Sequence, residues 1–337
     1  MQYNVYGIGN ALLDIQYDVD FDFLIQNELP KGLMSYLTHP EQEAILDRLG
    51  RNNVRQISSG GSVANSMVVM SQFGAKCFFS CRIANDASGD EYYQEMKDAG
   101  LNNNFDNTAR PDGLTGRCIV KVTPDADRTM STYLGTSIEL CEDQLNVEAL
   151  KQSEYLYIEG YLTTSPSAMK AVKKAISIAK ENNVKIAITL SDPDIVSHFR
   201  EQFHELIDQG VDLIFCNEKE AIDFTETNNL DEAEEKLKHY TKTFVVTIGP
   251  RGSIVFDGNR LLTVTATEEQ PIDTLGAGDM YAGAFLFAIT NGYSWEDAGR
   301  LANLTSSKVV TMFGPRVSAD HTKELIETLH SIKSVAA

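Results

Sequence analysis

Short apolar runs alternate with helix-like patterns along most of this 337-residue chain, and that rhythm constrains its fold more than any other feature. Residues 3–9, 77–83, 155–158, 184–190, 211–216 and 244–248 read as strands. Apolar residues at helical spacing fill 62–73, 88–99, 167–182 and 195–208, and three more helical stretches begin near residues 277, 295 and 319. A strand followed by a helix and then another strand must cross over the sheet, which leaves the two strands parallel. The expected fold class is therefore α/β, a central and mostly parallel sheet with helices on both faces.

Two segments break the rhythm. Residues 15–43 carry alternating acidic and aromatic residues, a Pro-Lys-Gly turn at 30–32 and a second short run at 33–37. Residues 114–136 read as two strands around a Pro-Asp-Ala-Asp turn at 124–127. Neither segment has room for a crossover helix. They are expected to pair as a small antiparallel β-sheet that forms a lid over a site. This divides the chain into a large α/β domain (1–14, 44–113 and 137–337) and a small β lid (15–43 and 114–136).

Composition narrows the partners. Asp plus Glu number 48 and Lys plus Arg 29, a net charge of −19. A surface this acidic repels nucleic acid and anionic membranes, so neither is an expected partner. No apolar run approaches the ~18 residues of a membrane span, and the opening MQYNVYGIGN lacks the basic and apolar regions of a signal peptide. Cys77, Cys81, Cys118, Cys141 and Cys216 are an odd, scattered set, expected as free thiols rather than a disulfide framework or zinc site. A cytoplasmic location is expected.

Three glycine-bearing segments carry the chemistry. In Asp273-Thr-Leu-Gly276-Ala277-Gly278-Asp279 a helix begins near Ala277. The nearly bare backbone of Gly276, Ala277 and Gly278 lets a phosphate reach the first N–H groups, and the helix dipole stabilises its charge. Asp279, in the first turn, has two readings: a helix cap, or a base that takes the proton of an attacking hydroxyl. In Ser58-Ser-Gly60-Gly61-Ser-Val-Ala-Asn65 paired glycines again precede a helix. They suit either a polar ligand or a plain strand-to-helix turn, and the Asn65 amide can bond a diol. Gly7-Ile-Gly9-Asn10-Ala-Leu-Leu-Asp14 is not a dinucleotide loop: its third glycine is missing and its acid comes too early. It places Asn10 and Asp14 just past the first strand, where open parallel sheets bind ligands.

Together these residues resemble the PfkB (ribokinase-like) family of carbohydrate and nucleoside kinases. The resemblance rests on Asp-Thr-Leu-Gly-Ala-Gly-Asp at 273–279, Gly60-Gly61-Ser-Val-Ala-Asn65, Asn217-Glu-Lys-Glu220, and Thr247-Ile-Gly249-Pro-Arg-Gly252, in that family's order along nearly the whole chain. It implies a three-layer α/β/α domain with a small β lid. It also implies ATP as phosphoryl donor and Mg²⁺ as cofactor. Asp279 would be the catalytic base, with an anion hole from Gly276, Ala277 and Gly278. Asn217 and Glu220 would position Mg²⁺ through water, and Thr247, Gly249 and Gly252 would line the nucleotide site. Asp273, Gly314 and Ser318 fall where some relatives bind potassium (K⁺).

The opening segment through Asp14 resembles adenosine kinases more than ribokinases. That resemblance puts Asn10, Asp14 and Asn65, beside Gly60 and Gly61, on the nucleoside. It makes Arg128 a lid arginine that reaches the phosphates, Met130 and Thr132 lid contacts, and Tyr161 the aromatic that stacks on the purine. The implied reaction is ATP-dependent phosphorylation of the 5′-hydroxyl of adenosine, giving AMP and ADP. Two alternatives stay open: the same transfer to a sugar or another nucleoside, and a catalytically silent ligand sensor. The chain is expected to be a monomer or a homodimer paired through a lid edge strand.

Overall fold

The computed structural model describes residues 2–105, 109–125 and 127–335, the side chains of 329–335 excepted. Nine strands form one sheet. Across it run Leu261–Val264, Ser253–Phe256, Thr243–Thr247, Leu213–Asn217, Lys185–Thr189, Ser153–Ile158, Tyr3–Ile8, Cys77–Ser80 and Asn102–Asn103. The seven from Thr243–Thr247 onward pair in parallel, and the last two strands in sequence turn back as an antiparallel edge.

Alternation along the strands builds the two outer layers. Val5, Phe79, Tyr157, Phe215 and Val245 point into one core, beneath the helices Ser62–Gln72, Ala277–Thr290 and Trp295–Val309. Tyr6, Phe78, Ile158, Ile188, Ile214 and Val246 point into the other, beneath Pro166–Glu181, Arg200–Ile207 and Leu230–Tyr240. The fold is thus the expected three-layer α/β/α arrangement. Residues 280–288 of the helix Ala277–Thr290 are all buried, because it lies between two neighbouring helices. The pattern at 195–208 is two helices, Pro193–His198 and Arg200–Ile207. Among the described residues no helix is long and apolar enough to cross a membrane. The five cysteines are free thiols, four of them buried.

A second sheet of five strands runs Met34–Tyr36, Arg128–Gly135, Thr115–Val122, Leu12–Asp18 and Gln56–Gly60. It is mixed rather than antiparallel. Leu12–Asp18 lies parallel to Thr115–Val122, and Met34–Tyr36 parallel to Arg128–Gly135. The segment 15–43, judged too short for a crossover helix, contains the helix Phe21–Gln26 and the start of a second, His39–Leu49, which runs past its expected boundary. The second is started by a Thr38/Glu41 capping box with a proline in its first turn. Ile45, Leu46 and Leu49 pack on Ile15, Tyr17 and Ile119, so one face of this sheet has a core of its own. The opposite face, with Asp14, Cys118, Met130 and Thr132, looks onto the large domain.

Candidate active site

The parallel strands end level with one another, and the site is built on those ends. Ile8, Ile158 and Ile188 are paired across the sheet, as are Asn217 and Thr247. Asn10, Glu159, Thr189, Asn217 and Thr247 therefore share one edge, the carboxyl edge where such sheets bind ligands. Glu159 is 1% exposed. Its carboxylate accepts from the Asn10 amide side chain (2.8 Å), the Asn10 N–H (3.2 Å) and the Val63 N–H (3.1 Å). Burial pushes it up to about 7.

Two cavities meet above this edge. The first, of about 320 Å³, is walled by Asn10, Gly61, Asn65, Tyr161, Asn217, Glu220, Thr247 and Gly276 through Asp279 from the large domain. Asp14, Met34, Tyr36, Cys118, Met130, Thr132 and Leu134 close it from the second sheet. The second cavity, of about 460 Å³, is walled by Thr247, Gly249, Gly252, the 266–271 loop, Asn303 and Ser306. Thr247, Thr274, Ala277, Gly278 and Tyr281 line both, so the two cavities adjoin at the start of the helix Ala277–Thr290.

That start is shaped for an anion. Gly276 caps the helix at φ +74°, and a Cβ there would lie 2.2 Å from the Pro315 carbonyl, so no other residue fits. The first-turn amides have no intrahelical acceptor. Ala277 N–H makes a long 3.4 Å bond to the Thr274 carbonyl, while Gly278 faces open space.

Asp279 does not act as the helix cap, a position Gly276 fills. Its Oδ1 accepts from Ser62 Oγ (2.6 Å) and its Oδ2 from Asn65 Nδ2 (2.8 Å). Burial pushes its carboxyl up to about 6, against the pull of those two donors and the Arg316 charge. Asp14 is pushed up to about 7, again mainly by burial, with the Arg316 charge opposing. Gly60 backs onto the Asp14 carboxylate, and a Cβ there would lie 2.3 Å from it.

Glu220 reaches the same space from a capping box. Its two oxygens accept from Asn217 N–H (3.0 Å) and Asn217 Nδ2 (2.6 Å). Burial pushes it up to about 8, and the nearby carboxylates of Asp192, Asp223 and Asp279 add to the rise. A divalent cation carried in with a nucleotide would relieve that repulsion. No cluster of three or more His, Cys, Asp or Glu able to hold a metal occurs among the described residues; the oxygen donors of Asn217 and Glu220 are of the kind that suits a cation held through water and phosphate oxygens.

Some expected residues lie elsewhere. Arg128 lines neither cavity; it is buried and ion-paired with Asp273. Asp273 also accepts from the N–H groups of Leu275 (2.8 Å) and Gly314 (2.9 Å). Ser318 is exposed and bonded to the His321 ring (2.8 Å). A potassium ion at Asp273 would have to share its carboxylate with the Arg128 guanidinium. Ser62, Glu159, Tyr36 and Arg316 went unassigned in the sequence. Ser62 stands inside the Gly60–Asn65 segment that carries the family resemblance and Glu159 lies two residues before Tyr161, whereas nothing local marks Arg316.

The sequence matches the family described as pfkB family carbohydrate kinase over residues 33–322. The structure is similar to that of the adenosine kinase from Sinorhizobium meliloti, with TM-score 0.90 and 35% identity, covering 96% of this chain and 99% of that one. Adenosine kinase 1 of Arabidopsis thaliana is 25% identical over 91% of this chain and 94% of its own length. Ribokinase of Haemophilus influenzae is 26% identical over 81% of this chain and 88% of its own length. With that match over most of its length and that shared fold, the chain belongs to the pfkB family of carbohydrate kinases and is a phosphotransferase with an alcohol group as acceptor.

Proposed function

We propose that this kinase transfers the γ-phosphoryl group of Mg·ATP to the 5′-hydroxyl of adenosine, giving AMP and ADP. The observation that carries the reading is the make-up of the first cavity. Its lining combines polar groups (Asn10, Asp14, Asn65, Asp279) with two tyrosines and two methionines (Tyr36, Tyr161, Met34, Met130), surface suited to a flat base. A free sugar would leave that surface without a partner. The similarity to adenosine kinases points the same way.

On this reading Asp14 accepts hydrogen bonds from the ribose hydroxyls, and Asp279 takes the proton of the attacking 5′-oxygen. ATP occupies the second cavity, with its γ-phosphoryl group at Gly276, Ala277 and Gly278. Backbone N–H groups there bind the equatorial oxygens as charge shifts during transfer. Asn217 and Glu220 would hold the divalent cation through water, and it would supply charge neutralisation on the phosphates. The lid strands exclude water, which would otherwise compete as acceptor. The enzyme works in the cytoplasm in purine salvage.

The test is ADP release from Mg·ATP with adenosine, run beside guanosine, inosine, ribose and fructose. Turnover with adenosine at micromolar concentration, with the sugars inert, is the expected outcome. Turnover with ribose or fructose and silence with adenosine would sink the assignment of the Tyr36–Tyr161 surface to a base.

A further inference from the structure

We propose that Arg316 is a positioning residue of this kinase: it locks the Asn65 amide so that Asn65 can only donate to, and thereby orient, the carboxylate of Asp279. The proposal rests on the reading of Asp279 as the base.

The geometry is a relay. Arg316 Nε donates to Asn65 Oδ1 (2.8 Å), and Asn65 Nδ2 donates to Asp279 Oδ2 (2.8 Å). An asparagine amide can present either its oxygen or its NH₂ group after a half-turn of its end. A guanidinium has donors only, so opposite Arg316 the amide must show its oxygen. The NH₂ group is then forced toward Asp279. The flipped amide would set oxygen against carboxylate and donor against donor at once.

Arg316 is itself held rigidly. Its Nη1 donates to Ser59 Oγ (2.9 Å) and Glu95 Oε1 (2.8 Å), and Glu95 Oε2 accepts from the Ser59 N–H (2.6 Å). The side chain is 11% exposed. Its neighbour Pro315 packs against the Gly276 turn, so one short loop touches both the base's partner and the anion-binding turn.

Charge acts alongside orientation. Asp279 shares its surroundings with the carboxylates of Asp14, Glu159 and Glu220, and with the phenols of Tyr157 and Tyr161. The Arg316 guanidinium holds both Asp279 and Asp14 down; Arg128 does so for Asp14, which also feels Glu95. Losing Arg316 would leave the Asp279 carboxylate among acids and easier to protonate.

The experiment compares Arg316→Gln, Arg316→Lys, Asp279→Asn and the double variant Arg316→Gln/Asp279→Asn in the full chain. ADP release is followed from pH 5 to 9 with the acceptor that the five-compound comparison identifies. Arg316→Gln should lower kcat by about 10- to 100-fold, with acceptor KM within about threefold, and move the acid limb of kcat up by about one pH unit. Arg316→Lys keeps the charge and loses the fork, so the limb should stay while kcat falls at least about fivefold. The double variant should be no slower than Asp279→Asn alone, because both act through one group. If Asp279→Asn is inactive but Arg316→Gln leaves the limb in place, or if the double loss is additive, Arg316 is structural and the proposal fails alone. Full turnover in Arg316→Gln would overturn the orienting role. Normal turnover in Asp279→Asn would overturn the base reading and this proposal together.

Discussion

A base must be ionised when the acceptor arrives, and Asp279 is held close to the limit of that condition. Its carboxyl is pushed up to about 6 by burial. Proton binding therefore disables it as pH falls through about 6, and kcat/KM should rise with pH between about 5 and 8. Asp279→Asn should still bind acceptor and ATP, measured calorimetrically, while turning over at least about 100-fold more slowly. Near-normal turnover would remove Asp279 from the role. The helix start beside it was legible because that signal is local, three small residues and an acid, whereas the choice between cap and base for Asp279 rested on the family resemblance. Asn65 was legible only in part. Its position one turn beyond Gly61 suggested a diol ligand, yet its amide oxygen and one amide hydrogen are taken by partners 251 and 214 residues away. No local pattern encodes such partners, which is also why Arg316 escaped notice.

At the scale of elements, the second sheet is the part that sequence described least well. Its strands at 115–122 and 128–135 follow a hairpin signal, and they form that hairpin. The parallel pairings join Leu12–Asp18 to Thr115–Val122 and Met34–Tyr36 to Arg128–Gly135, partners far apart along the chain that no local pattern links, and the two helices of six and eleven residues are too brief for periodicity to reveal against flanking acids and aromatics. The sheet's own core contains an oddity. Lys121 is fully buried, with Nζ bonded to Ser131 Oγ (2.6 Å) and the Ile119 carbonyl (3.2 Å). Burial holds its ammonium down at about 8, below the usual lysine range. Between about 8 and about 10.5 the unfolded chain binds the extra proton, so stability attributable to this group rises with pH through that window and is absent below it. Lys121→Met should therefore raise the Tm at pH 7 and flatten its rise above pH 8, as read by thermal scans across pH. A lower Tm at pH 7 would mean that the two hydrogen bonds outweigh the buried charge.

At the scale of the whole molecule, the net charge of −19 works against compactness. Screening that repulsion should raise the Tm by about 2–4 °C between about 20 and 200 mM NaCl. A fall instead would show that the many surface ion pairs, such as Arg51 with Glu43 and Asp47, contribute more than the excess acid costs. The repeated strand-helix order gave the layers of the large domain directly, since each crossover leaves few other ways to bury both faces. Which side chains meet above the sheet depended on how loops from residue 10 to residue 316 come together, and spacing along the chain carries no record of that.

The two adjoining cavities differ in ownership. The first is roofed by strands of the second sheet, while the walls of the second come wholly from the large domain. On the proposed reading, whatever distinguishes one acceptor from another is inherited largely through the roof, and the handling of phosphate through the floor. A descendant of this chain could therefore trade a nucleoside for a sugar by rewriting a few lid positions, with the groups that move the phosphoryl left as they stand.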